Sequence, residues 1–242
     1  RQKTSMSKHE ISASREVDNL YVGLRRRYGD DSARANGYLY EGYFLGEQRI
    51  LFSLLDVNAQ TLVDVACGTG LMVQPLVANK ELVIGVDFNT DACRIAQTNG
   101  LTVVRGNAFA LPLQSGSVDE IITCQFFNQQ KPEAVRQFIA ESARILRPGG
   151  QLVMVWRNGA AWIHRVASSL LGSFEKLRGV NGFPYEDHSF ESIRDYARMA
   201  GLQIKREAVS FPLFGWSSDD LSCWRAKCIG ASNISILGKP SD

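Results

Sequence analysis

The chain has 242 residues, with 27 basic against 25 acidic side chains and a formal net charge of +2. At 45% apolar and 21% charged it is composed like a globular chain that can bury one large α/β core, and so balanced a charge gives no long-range field to recruit nucleic acid or an anionic membrane. The longest unbroken apolar run, Leu152 to Trp156, is far below the ~18 residues a spanning helix needs, and the opening RQKTSMSKHE has no apolar signal core. The expectation is a soluble, cytoplasmic protein without a membrane span.

In chain order, polar residues 1–15 read as a flexible arm. Residues 16–58 carry apolar and aromatic side chains at helical spacing, broken by glycines at 23, 29, 37, 42 and 46, and read as a helical cap. From residue 61 short apolar runs alternate with helical stretches, as in a parallel sheet with crossover helices. The strands expected are 61–66, 82–87, 101–105, 119–124 and 151–157. Helices are expected at 89–98, capped by Asn89, and at 132–146, with Pro132 in its first turn. Beyond them come an amphipathic helix at 160–178, a helix at 190–200 closed by Gly201, and strands at 202–211 and 232–238. No repeat or linker divides residues 16–242, which are expected to form one domain.

Five cysteines (67, 93, 124, 223 and 228) form no CxxC pair, and the three histidines (9, 164 and 188) are widely separated. No structural metal is expected, and Cys67, Cys93 and Cys124 read as small buried side chains.

The chemistry concentrates after the first strand, in Asp64-Val65-Ala66-Cys67-Gly68-Thr69-Gly70. Glycines 68 and 70 permit a tight turn and close approach of a ligand, and a helix is expected to follow and offer its free N–H groups. Asp87 ends the next strand, where a Rossmann-like unit presents a carboxylate to ribose hydroxyls. A nicotinamide fingerprint would need a third glycine where Val73 stands, which argues against an oxidoreductase.

Four segments in order, VDVACGTG, GVDFN, GNAFALPLQSGSVDEIIT and ILRPGGQLVMV, resemble the class I S-adenosylmethionine-dependent methyltransferases. The similarity is greatest to the small-molecule branch that includes ubiquinone- and menaquinone-biosynthesis-type enzymes. It implies an α/β fold, a Rossmann-like three-layer sandwich with a seven-stranded, mostly parallel sheet whose last strand is antiparallel, below an N-terminal helical cap. Residues 59–157 would be the cofactor-binding half and 158–242 the substrate side. S-adenosyl-L-methionine is the cofactor implied.

By the same resemblance, Asp64, Ala66, Cys67, Gly68 and Gly70 form the loop around the methionine moiety. Asp87 takes the ribose hydroxyls, Phe88 lies against adenine, and Asn107 with Ala108 meets the adenine edge. The family usually has Asp at 107, and Asn107 keeps an acceptor oxygen without the charge. Cys124 and Gln125 begin the pocket for substrate and cofactor sulfur, and ILRPGG is a structural turn.

If the acceptor needs a base, His164, His188 and Tyr43 are the candidates. The acceptor pocket is expected between the aromatic cap (Tyr21, Tyr28, Tyr38, Tyr40, Tyr43 and Phe44) and helix 160–178 with the following NGFPYEDHSF. The expected partner is a small, partly apolar acceptor methylated on oxygen, nitrogen or carbon. Arg25–Arg27 read as the cationic end of a helix. Cys124-Gln125-Phe126-Phe127 lacks the NPPY pattern of enzymes acting on base amines, so a tRNA or rRNA substrate is disfavoured. A non-catalytic cofactor-binding module acting through a protein partner is the alternative from another class. Monomer and homodimer are both left open.

Overall fold

The β-strands and the order in which they lie side by side set where a ligand can bind. In the computed structural model residues 21–30, 32–38, 41–158, 186–211, 216–219, 221 and 232–241 are described. The arm 1–15, helix 160–178, residues 181–185 of the following loop, Tyr40, His164, Cys223 and Cys228 lie outside them.

The strands are β1 (Thr61–Val65), β2 (Leu82–Asp87), β3 (Thr102–Arg105), β4 (Val118–Cys124), β5 (Leu146–Arg157), β6 (Gln203–Phe211), β7 (Trp216–Ser218) and β8 (Ser232–Gly238). They lie in the order β3-β2-β1-β4-β5-β8-β6-β7. Strands β1 to β5 pair in parallel, and β8 runs antiparallel to both β5 and β6. All seven expected strands are present. The eighth, β7, is a three-residue edge strand paired with the end of β6 through Phe211 and Trp216.

The cap contributes helical turns over 21–28 (α1) and helix α2 (Glu41–Leu54), with a 3₁₀ turn at Ala33–Asn36 between them. Gly29, at φ 84°, closes α1 by donating its N–H to Arg25 O at 2.9 Å, so Arg25–Arg27 do lie at a helix C-terminus. Helix α3 (Thr90–Thr98) starts at Asn89, whose Oδ1 accepts the N–H of Ala92 at 2.8 Å. Helix α4 (Pro132–Ile145) has proline in its first turn, and α5 (Phe190–Met199) is followed by Gly201 at φ 73°.

Alternation along the central strands divides the core in two. Val63, Val65, Ile121, Leu152, Met154 and Trp156 face α4 and α5 through Val135, Phe138, Ile139, Ile193 and Ala197. Leu62, Ile122, Val153, Val155 and Ile234 face the opposite side, where Phe44, Ile50, Leu51 and Leu54 of α2 cover them. The result is the three-layer α/β arrangement expected.

Two local expectations are corrected. No α-helix follows the glycine loop: residues 71–79 form turns around a 3₁₀ segment, Gln74–Leu76. Pro75 has no N–H to return to Leu71 O, which removes one bond from an α-helix starting directly after Gly70. Gln48 of α2 instead donates its Nε2 to Leu71 O at 3.2 Å and Met72 O at 2.8 Å, satisfying two carbonyls that a helix would have used. The second correction concerns ILRPGG. It lies largely inside β5, which starts at Leu146, as a bulged stretch whose register jumps between the pairs Val118–Leu146 and Glu120–Gln151. A Cβ on Gly150 would stand 2.8 Å from Asp119 O, which explains glycine at that position.

Phe138 is fully buried and packs against Phe126 and Phe127, with ring centroids 5.9 and 5.2 Å away. Phe138→Ala is expected to cost ~3–5 kcal/mol, measured by urea unfolding.

Candidate active site

The sheet changes direction between β1 and β4, because β2 and β3 extend to one side and β5 to the other. In open α/β sheets a crevice opens at this point beyond the carboxyl ends of the strands. Both strands leave the sheet here through non-glycine residues in the left-handed region, Ala66 at φ 62° after β1 and Gln125 at φ 59° after β4. Such conformations cost of order 1–3 kcal/mol and persist only where the surroundings hold them. Ala66 is held by its N–H donated to Val86 O at 2.8 Å, and Gln125 by its N–H donated to Val155 O at 2.8 Å.

The cavity at this point is lined by Asp64, Ala66, Cys67 and Gly68 from β1 and its loop, and by Asp87, Phe88 and Asn89 from the end of β2. Cys124, Gln125 and Phe126 line it from the end of β4, and Tyr21, Arg25, Asn36, Tyr38 and Phe44 from the cap. The Asp87 carboxylate is fixed from both sides: Oδ2 accepts the N–H of Gly68 and Oδ1 that of Asn89, each at 2.9 Å. Asp64 is buried, and its Oδ2 has no hydrogen-bond donor. Burial, and after it the nearby Asp87 charge, hold the Asp64 carboxyl well above its ordinary range. Asn36 spans from the cap to the loop, accepting the Thr69 hydroxyl at 3.1 Å.

A second carboxylate stands behind the cavity wall. Glu47 of α2 is 1% exposed, and its oxygens accept from Tyr38 Oη at 2.8 Å, Ser232 Oγ at 2.6 Å and Gln125 Nε2 at 2.8 and 3.0 Å. The Gln125 carbonyl oxygen accepts Asn128 Nδ2 at 2.6 Å, and Asn128 Oδ1 takes the N–H of Arg157. Burial raises the Glu47 carboxyl, against the lowering effect of these donors. Burial also lifts Tyr38 and Cys124 well above their usual values, with the Glu47 charge as the next cause. The Cys124 thiol is therefore protonated and a poor nucleophile.

Residues 63–154 match a family model described as a methyltransferase domain. Demethylmenaquinone methyltransferase of Shouchella clausii is 33% identical over 110 residues, which are 41% of this chain and 46% of that one. The chain spans about half the length of the curated relatives it matches. Among solved structures, a Thermotoga maritima S-adenosylmethionine-dependent methyltransferase described as a possible histamine N-methyltransferase aligns with TM-score 0.59 at 21% identity, covering 95% of this chain and 96% of that one. Magnesium protoporphyrin IX methyltransferase of Synechocystis, solved with bound S-adenosylhomocysteine, aligns with TM-score 0.62 at 16% identity, covering 95% and 98%. At these identities the structures show the shared fold.

Within the matched residues the structure gathers Asp64, Ala66, Cys67, Gly68, Asp87, Phe88, Cys124 and Gln125 around one cavity. Gly70, at φ 77°, supports it from behind: a Cβ there would stand 2.9 Å from Leu101 Cδ2. Asn107 and Ala108 are not among the lining residues, and Asn107 Oδ1 accepts the N–H of Phe109 at 2.9 Å. Buried His188 places Nε2 3.1 Å from Phe127 O and 2.9 Å from Gln130 O, so it donates to the loop after β4 rather than facing the cavity. Tyr43 Oη lies 3.3 Å from Ser232 Oγ and its ring stands 6.0 Å from that of Tyr38, but Tyr43 is not among the lining residues. Glu47, Ser232 and Asn128 escape a sequence reading because they are isolated polar residues on three separate elements. The only hint is an acidic residue at a position of α2 that helical spacing turns toward the core.

The Asp64 carboxyl titrates higher in the folded protein than in the unfolded chain, so its ionisation opposes folding as pH rises through that interval. Asp64→Asn is expected to stabilise the ligand-free protein by roughly 1–3 kcal/mol at neutral pH, with the gain vanishing below about pH 4 where the aspartate is protonated in both states. Denaturant unfolding at the two pH values checks this.

Proposed function

We propose that the protein is an S-adenosylmethionine-dependent methyltransferase acting on a small, partly apolar acceptor. The observation that carries the reading is the acidic cradle at the glycine loop, in which Asp64 is buried with an unpartnered oxygen and Asp87 is fixed by two peptide N–H groups. An anionic pyrophosphate would meet both charges, and the loop does not lead into the α-helix N-terminus that such a group uses. A ligand carrying positive charge and sugar hydroxyls fits both carboxylates.

S-adenosylmethionine would supply an electrophilic methyl group on a sulfonium, so the protein's part is binding, alignment and exclusion of water. Asp87 would hold the ribose hydroxyls, with its carboxylate orientation already set by Gly68 and Asn89. Asp64 and the glycine loop would hold the cationic amino-acid end. Phe88, 44% exposed at the cavity rim, offers an aromatic face to the base. On the acceptor side Tyr21, Tyr38, Phe44 and Phe126 supply a mainly aromatic wall, which favours a partly apolar metabolite. The demethylmenaquinone methyltransferases among its relatives support an acceptor of this kind.

Calorimetric titration of S-adenosylmethionine and S-adenosylhomocysteine is expected to show binding of both to the wild type. Asp87→Ala should weaken each by roughly 10- to 100-fold, the size of one or two lost charge-assisted hydrogen bonds. Absence of binding to the wild type, or undiminished binding to the variant, overturns the reading.

A further inference from the structure

Glu47 is a carboxyl group buried with no counter-charge among the described residues. Its donors, Tyr38, Ser232 and Gln125, are all neutral, and among the described residues no lysine, arginine or histidine forms an ion pair with it. Burying a carboxylate in this way is costly, and a leucine or methionine would fill α2 with no such demand. The fold nevertheless devotes three elements to it. Gln125 takes a left-handed backbone conformation and commits both ends of its amide, the nitrogen to Glu47 and the oxygen to Asn128. Two of the three donors, Tyr38 and Gln125, are cavity-wall residues, so the charge sits one side chain behind the wall at the β4 end.

On the functional reading above, we propose that Glu47 is the counter-charge for a cationic ligand at the β4 end of the cavity, and that it makes the site prefer the sulfonium S-adenosylmethionine over the neutral thioether S-adenosylhomocysteine. The two ligands differ there by one methyl group and one positive charge, so a buried anion separates them where shape scarcely can. Low dielectric around Glu47 lets its field act across the width of a side chain. The preference would favour substrate over product at the same pocket, and Glu47 would act as a positioning and selectivity residue without touching the ligand.

The titratable groups coupled to Glu47 are Tyr38 from the cap and Cys124 from β4, with Tyr43 reached through Ser232. Gln125 and Ser232 are neutral throughout. Since burial raises the Glu47 carboxyl, the charge is present at higher pH and is lost as pH falls through that raised value. Removing the Tyr38 hydroxyl withdraws a donor that favours the charged form, so the loss then comes at higher pH.

The test is the ratio of S-adenosylmethionine to S-adenosylhomocysteine affinity, measured calorimetrically from about pH 5 to pH 8 in wild type, Glu47→Gln and Tyr38→Phe. Near pH 8 the ratio is expected to fall about tenfold in Glu47→Gln, a typical size for one charge across a short stretch of protein. In the wild type it falls on acidification, and Tyr38→Phe moves that fall upward in pH. A folded Glu47→Gln variant with the wild-type ratio overturns the proposal. Should that variant not fold, an unmoved pH profile in Tyr38→Phe overturns it. Failure of the wild type to bind either ligand overturns the cofactor reading itself, a result distinct from binding with an unaltered ratio.

Discussion

A carboxylate that cannot reach water must be satisfied by the protein around it, and at Glu47 this requirement ties together elements far apart in sequence. The donors come from the cap, from the turn after β4 and from the start of β8. Because Tyr38 and Gln125 also line the cavity, the same bonds that satisfy the charge fix the shape of the wall. Gln125 can hold its left-handed backbone because its side-chain amide is anchored at both ends.

The opposite side of the cavity obeys a related constraint. Asp87 is orientated by the peptide N–H groups of Gly68 and Asn89, so the glycine loop and the start of α3 are set against each other through one side chain. Gly85 permits this closeness, since a Cβ there would lie 2.7 Å from Cys67 Sγ. Asp64, on the same wall, is left with an oxygen unpaired inside the protein. Both sides of the cavity thus hold carboxyl groups, Asp64 and Asp87 on one and Glu47 behind the other.

The parts of the fold that were legible in the sequence are those with local causes. Asn89 caps α3, Pro132 opens α4 and Gly201 follows α5, as their residue types require. The segment after Gly70 differs because its apolar spacing suits a helix while Pro75 removes one of its bonds, and Gln48, 23 and 24 residues away, satisfies the carbonyls left over. The start of β5 was placed too late because Pro148 and the two glycines after it look like a turn, whereas neighbouring β4 carries them as a bulge. Asp64 and Asp87 were legible as residues lining the cavity because each sits at a strand end near glycines. The isolated Glu47 was not.

The sequence by itself determined the alternation of strands and helices, the glycine loop and the acidic residue that ends the second strand, because each depends on spacing within a few residues. Tertiary structure alone decided which polar residues meet. Whether His188 faces a ligand or two backbone carbonyls, and whether Glu47 is a surface charge or a buried one, depends on elements brought together across as many as 185 residues of chain. Such contacts leave no periodic trace, since a single buried polar residue interrupts the apolar pattern of its own helix only once.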